Sequence, residues 1–261
     1  MKKLFYGNIC FWISIVFSLN VLADYTIVAN KVNNAPKIDG IVDPLEWAAA
    51  VPITVCENVG QIKISLKAVY TDQEICFLVT FPDNDESRNH RNLVWDKEKK
   101  MYMIGPDRED SFVFKWSMEP EIIDLSIYAD NPYRADIWYW KACRTDPVGY
   151  ADDKICSLSL DKLPQSSKII SKKGYTFYSK RSGDKGTSAY IDGDIPLLHG
   201  ADKISMFKNV VPTGSRADVV AKGQWKEKQW TIEFKRLLFT GNIDDIQFSL
   251  SESYQFGIAR Y

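Results

Sequence analysis

From Gln61 onward the apolar residues of this chain recur at every second position, a period that fits strands turning one face to a core and does not fit helices. In QIKISLKAVY, Ile62, Ile64, Leu66 and Ala68 alternate with Gln61, Lys63, Ser65 and Lys67. In DSFVFKWSM, Phe112, Phe114, Trp116 and Met118 share one face and Val113, Lys115 and Ser117 the other. ADIWYWKACR does the same, with Trp138 and Trp140 on the face of Asp136 and Arg144, and Ala135, Ile137, Tyr139, Lys141 and Cys143 opposite. EICFLVTF is a short continuous apolar run, which suits a strand covered on both faces. ADVVAKGQW and QWTIEFKRLL flank Lys226-Glu227-Lys228 and read as a hairpin, and DIQFSL and YQFGIARY supply the last strands. Short strands, regular turn signals and almost no helical period predict an all-β fold, an antiparallel two-sheet β-sandwich with short helical turns.

Two segments depart from the strand period. KIDGIVDPLEW reads as a helical turn capped by Asp43, with Pro44 first, Glu46 completing the cap and Trp47 packing inward as a lid. Residues 161–187 carry Lys162, Lys168, Lys172, Lys173, Lys180, Arg181 and Lys185 against Asp161 and Asp184. That stretch is expected as one long basic loop, either a solvated excursion or a docking surface for an acidic partner.

The N-terminus sets the compartment. Lys2 and Lys3 precede an apolar run ending at Ala23, the pattern of a secretory signal at residues 1–23. The expectation is a periplasmic or otherwise exported protein, with residues 24–261 as one domain and no membrane anchor after signal removal. A net charge of −1 provides no basic field for nucleic acid. Cys56, Cys76, Cys143 and Cys156 of an exported chain admit up to two disulfides in any of three connectivities. No CxxC or CxxCH spacing occurs, so a covalently attached haem and a cysteine-rich zinc site are unsupported.

Catalytic machinery is sparse. His90 and His199 are the two histidines, and neither GxSxG, HExxH nor a glycine-rich phosphate loop occurs. Carboxylates gather at Asp83-Asn84-Asp85-Glu86, at Asp107 with Glu109 and Asp110, at Asp152-Asp153 and at Asp192-Gly193-Asp194. Such spacing suits a structural calcium, and equally suits ordinary turn chemistry. Trp95, Trp116, Trp138, Trp140, Trp225 and Trp230 all fall at strand-like positions. They are read as core filling, as a sugar-stacking platform or as walls for a planar cofactor, and composition leaves all three open.

Taken together, several stretches carry a resemblance. KIDGIVDPLEW resembles the opening segment of the carbohydrate-binding-module-9-like (CBM9-like) and DOMON-like sandwiches. GPDREDSFVFKW, ADIWYWKACRTDPVGYADD, GSRADVVAKGQWKEKQWTIEFKRLL and YQFGIA, in this order, resemble a narrower family. That family is the haem-binding domain of the ethylbenzene dehydrogenase gamma subunit, also described as the cytochrome c-552/DMSO reductase-like haem-binding domain. The likeness runs from about Pro36 to Ala259. It implies a sandwich holding a non-covalent haem b between its sheets. It further implies an electron-transfer subunit, not a catalyst by itself, serving a periplasmic molybdenum oxidoreductase of the DMSO reductase type.

In that family a methionine and a lysine hold the iron, the methionine near the end of the strand that begins Arg-Glu-Asp. Here the aligned position is Lys115, and Met118 follows on the opposite pleat, so both are candidate iron ligands. The family lysine is expected beyond YQFGIARY, outside these 261 residues, and Lys141 of WYWKACR is the substitute. Tyr139 stands where many relatives carry a histidine. The resemblance therefore points to Met118 or Lys115 at the metal, Trp116, Trp138 and Trp140 as walls, and Lys141 with Arg144 at the propionates. The rivals are a carbohydrate-binding module using Trp138 and Trp140, and a family member that has lost its haem.

Overall fold

A computed structural model describes residues 25–56 and 60–261. The secretory signal expected at residues 1–23 lies outside the described residues. Alternating stretches become strands: β1 (Asn30–Lys31), β2 (Ile53–Cys56), β3 (Lys63–Tyr70), β4 (Glu74–Pro82), β5 (Leu93–Asp96) and β6 (Met101–Ile104). The middle of the chain supplies β7 (Ser111–Ser117), β8 (Tyr133–Lys141), β9 (Asp152–Ser159), β10 (Ser167–Ile170), β11 (Thr176–Gly183) and β12 (Tyr190–Asp192). Last come β13 (Lys203–Ile204), β14 (Phe207–Asn209), β15 (Val220–Lys226), β16 (Gln229–Leu237) and β17 (Phe256–Arg260).

Two six-stranded sheets form the sandwich. One has the order β1-β3-β4-β16-β15 with β2 also on β3, and the other the order β10-β11-β9-β8-β7-β17. Antiparallel pairing prevails, and β1 on β3 is the parallel exception. Period-two side chains from both sheets meet between them: Leu66, Ala68, Phe77, Val79, Ile232 and Phe234 face Phe112, Phe114, Trp116, Trp138 and Trp140. Registers Phe112↔Trp140 and Phe114↔Trp138 line the rings up across β7 and β8. The Phe114 and Phe234 rings then meet edge to face, 5.2 Å apart at 83°, the arrangement their quadrupoles favour. Trp138 and Trp140 are both 0% exposed, which removes them from any sugar-stacking platform and corrects that rival reading.

The close approach of the sheets makes one glycine obligatory. A Cβ on Gly223 of β15 would meet Cζ2 of Trp140 at 2.5 Å. The indole cannot easily retreat, because its Nε1–H donates to Asp146 Oδ1 (2.9 Å), which also accepts from the Gly223 N–H (2.6 Å). Gly223→Ala is expected to lose about 1–3 kcal/mol of stability through overpacking. Urea unfolding checks this, and an unshifted midpoint would mean that the ring yields freely.

Both outer faces are covered. Asp43 Oδ1 accepts from the Leu45 N–H (2.8 Å), the expected cap, and Trp47 packs on Val69, Cys76 and Leu78 as a lid. Its indole N–H donates to Glu233 Oε1 (3.1 Å), while Glu233 Oε2 accepts from the Gly40 N–H (2.9 Å). Glu46 does not close a capping box: its carboxylate accepts from the Lys37 N–H (3.3 Å), and the segment stays a series of turns. The other sheet's outer face, with Ala135, Cys156 and Leu158, is packed by Ile123, Leu125 and Ala129.

The hairpin between β15 and β16 turns on Glu227 and Lys228, with φ of 53° and 58°, as a tight two-residue connection demands. Three expectations change. Residues 161–187 are not one loop, because β10 and β11 pair as an edge hairpin whose exposed lysines discourage pairing with other sheets. DIQFSL is not a strand: Gln247 Oε1 accepts from the Thr240 N–H (2.9 Å), so local bonds replace a ladder. No disulfide engages Cys76, Cys143 or Cys156.

Candidate functional site

The alternation that fills the core leaves one end of the sandwich open. A cavity of about 740 Å³ lies there, walled by Leu66, Ala68 and Phe77 of the first sheet and by Trp116, Phe256 and Ile258 of the second. Residues 25–29, 248–250 and 252–255 also line it. Its volume falls within the size range of small-molecule and cofactor sites.

Its lining is aromatic and ordered. Trp116 and Phe256 lie 4.6 Å apart, and Phe248 meets the edge of Trp116 at 5.1 Å and 84°. Polar groups at the rim are mostly committed to the backbone. The Tyr254 hydroxyl accepts from the Ser249 N–H (2.6 Å), and the Gln255 amide exchanges hydrogen bonds with the Ile123 N–H (3.0 Å) and carbonyl (2.7 Å). Among the described wall residues one buried polar atom is left over: the Nε1–H of Trp116 has no partner. An unmet buried donor costs about 1–3 kcal/mol, so an acceptor on a bound molecule would be favoured there.

The residues singled out from the sequence separate across the second sheet. Trp116 lines the cavity, whereas Trp138 and Trp140 lie deeper in the core. Odd-numbered positions of β7 face outward, so Lys115 is under the segment that follows β7. Its Nζ donates to the Leu125 carbonyl (2.7 Å) and the Tyr133 hydroxyl (2.5 Å), 4.2 Å from the centre of the Tyr133 ring. Burial lowers its pKa to about 8, which brings the amine nearer its ligating form but on the wrong face of the sheet. Met118 follows the end of β7, half-buried and off the cavity wall, its N–H donating to the Arg134 carbonyl (3.1 Å).

Lys141 and Arg144 also lie away from the cavity. Lys141 Nζ donates to Asp152 Oδ2 (2.5 Å) and to the Tyr190 hydroxyl (3.1 Å). Asp152 further receives Lys154 (2.9 Å) and Arg216, and these cations hold its carboxyl well below the usual range although burial opposes them. Arg144 pairs with Glu109, which also accepts the Cys143 N–H (2.8 Å) and the Arg144 N–H (3.0 Å). Asp146 ties Arg88 (2.6 Å), Trp140 and Gly223 together. The polar half of WYWKACRTDP thus locks loops onto the sheet.

The chemistry of the wall decides what the cavity can hold. Among the described residues no methionine, lysine, histidine or cysteine lines it. Its size and rings suit the body of a porphyrin, but an iron held by methionine and lysine does not fit this donor set. Sequence reasoning missed Phe248, Tyr254 and Phe256 as wall residues. The available signal was the aromatic content of QFSLSESYQF, read as strands.

Compared with known families, the chain matches the family model described as ethylbenzene dehydrogenase over residues 48–261. No curated protein matches it.

Proposed function

The chain belongs to the ethylbenzene dehydrogenase family, and from that premise we propose that it is an exported, non-catalytic subunit whose inter-sheet cavity receives a flat, largely apolar ligand. Its partner in this reading is the catalytic subunit of an oxidoreductase, of the molybdenum-containing DMSO reductase type that the family resemblance implies. The observation that carries the proposal is the aromatic cavity of about 740 Å³ with the unpartnered Trp116 indole N–H on its wall. Among the described residues no helix is long and apolar enough to cross a membrane.

Haem b is the ligand that the resemblance implies, and when bound it would supply one-electron chemistry to a relay. The porphyrin body suits the rings, while the methionine–lysine ligand pair has no counterpart on the wall. The walls therefore bind the ring, and they offer neither methionine nor lysine to an iron.

Two porphyrins test this. Iron-free protoporphyrin IX and hemin are expected to bind the purified protein one to one with similar affinity, followed by quenching of tryptophan fluorescence. Ala68→Phe, which fills the cavity, is expected to weaken both at least about tenfold, or roughly 1.4 kcal/mol. Failure of both porphyrins to bind would overturn the pocket. Hemin binding more than tenfold tighter, with a Soret band that shifts on dithionite addition, would overturn the donor-free reading and restore a haem relay.

A further inference from the structure

We infer that Asp136, Asp153 and Asp245 form a binding site for one hard divalent cation of the calcium class. Asp136 and Asp153 belong to the adjacent strands β8 and β9, where Asp153 stands opposite Trp138 in register. Asp245 arrives from the segment after β16. Each of the three offers a carboxylate oxygen, and these oxygens all lie within 4.8 Å of one another. Calcium ligands sit at about 2.3–2.6 Å from the ion, so two on one ion are at most about 5 Å apart. A single ion can therefore reach all three.

The independent sign of a ligand is the state of the oxygens. Asp153 is 0% exposed and neither of its oxygens has a hydrogen-bond partner, and Asp245 Oδ1 accepts no hydrogen bond either. Asp184, whose N–H donates to the Asp153 carbonyl (3.4 Å), adds two more unpartnered buried oxygens beside them. Buried carboxylates without partners are rare because the lost hydration is not replaced.

Among the described residues one cation pairs with this cluster, and it reaches two of the three aspartates. Arg236 Nη1 donates to Asp136 Oδ2 (2.5 Å) and lies 4.0 Å from Asp245 Oδ1. Three carboxylates against one guanidinium leave negative charge, and the all-oxygen donor set selects a hard ion over zinc or copper. The same segment carries Phe248, over whose ring Arg236 also sits (5.1 Å), so an ion at Asp245 would brace one wall of the cavity.

The test uses the purified full chain, stripped with EDTA and then given 1 mM calcium chloride. A site filled about a hundredfold above its Kd is expected to raise Tm by roughly 5–10 °C. Metal analysis is expected to show one ion per chain, and terbium in place of calcium is expected to luminesce on tryptophan excitation, with Trp138 adjacent. Asp153→Asn is expected to lose the calcium response while its metal-free Tm equals or exceeds that of the native chain, because a like charge has been removed. A native Tm indifferent to calcium would overturn the site and assign the cluster to shared protons. Should Asp153→Asn not fold, the calcium dependence of the native chain decides alone.

Discussion

Arg236→Met, measured in EDTA, is expected to lose about 3–5 kcal/mol of stability, a large share of what a domain of this kind possesses. Arg236 and Asp136 are both 0% exposed at their side chains, so no water replaces the missing partner. Burial already pushes the Asp136 carboxyl up, and Arg236 pulls it down; without the guanidinium, Asp136 takes up a proton instead of staying charged. Arg236 also donates to the Ile246 carbonyl and lies over the Trp138 ring at 4.8 Å, so the variant loses its anchor for the segment after β16. Arg236→Lys retains the charge but not this span, and is expected to recover less than half of the loss. A urea midpoint shift worth under about 1 kcal/mol for Arg236→Met would show that the pair adds little over its desolvation cost.

Asp152→Asn is the second large effect, also about 3–5 kcal/mol at neutral pH, since it takes the shared carboxylate from Lys154, Arg216 and the buried Lys141, whose pKa burial already lowers to about 7. Here pH supplies the control. The Asp152 carboxyl is depressed in the folded state by these three cations, against the desolvation that raises it. A depressed carboxyl stabilises the fold fully above its ordinary value of 3.8, and that contribution is lost as pH falls below it. The stability gap between native chain and variant is therefore expected to be wide at pH 6 and to shrink steadily below about pH 4. A gap that stays constant on acidification would show that the loss comes from packing and not from charge.

These two variants also mark where the sequence was and was not legible. Alternation in Phe112, Phe114 and Trp116 placed the core face of β7 correctly, and the same alternation in WYW placed Trp138 and Trp140 beside it. It also put Lys115 on the opposite pleat, where it lies. The lid at Trp47 was legible from the Asp43-Pro44 cap. Met118 was read as sharing the core face of DSFVFKWSM; β7 instead ends at Ser117, and Met118 takes no part in the core. The four-residue edge strand β10 and the absence of a strand in DIQFSL were not legible, because local side-chain bonds and edge pairing compete with short apolar patterns.

The candidate sites divide in the same way. Spacing gathered Asp152 with Asp153, yet the structure sends the first to Lys141 on one side of β9 and the second to Asp136 and Asp245 on the other. Adjacent strand residues point to opposite faces, so a pair contiguous in sequence belongs to two unrelated clusters. Asp245 reaches its partners only because the chain after β16 folds back across the end of the sandwich.

By itself, then, the sequence determined the period of two, the inward rings and the sandwich class, because strand faces follow from local alternation and from the area that must leave water. The tertiary structure alone decided which donors converge. The cavity at Trp116, the Arg236–Asp136 pair and the three-aspartate cluster join residues about a hundred positions apart. Their meeting depends on how two sheets stack and how the connecting segments cross their edges, and no local pattern encodes that.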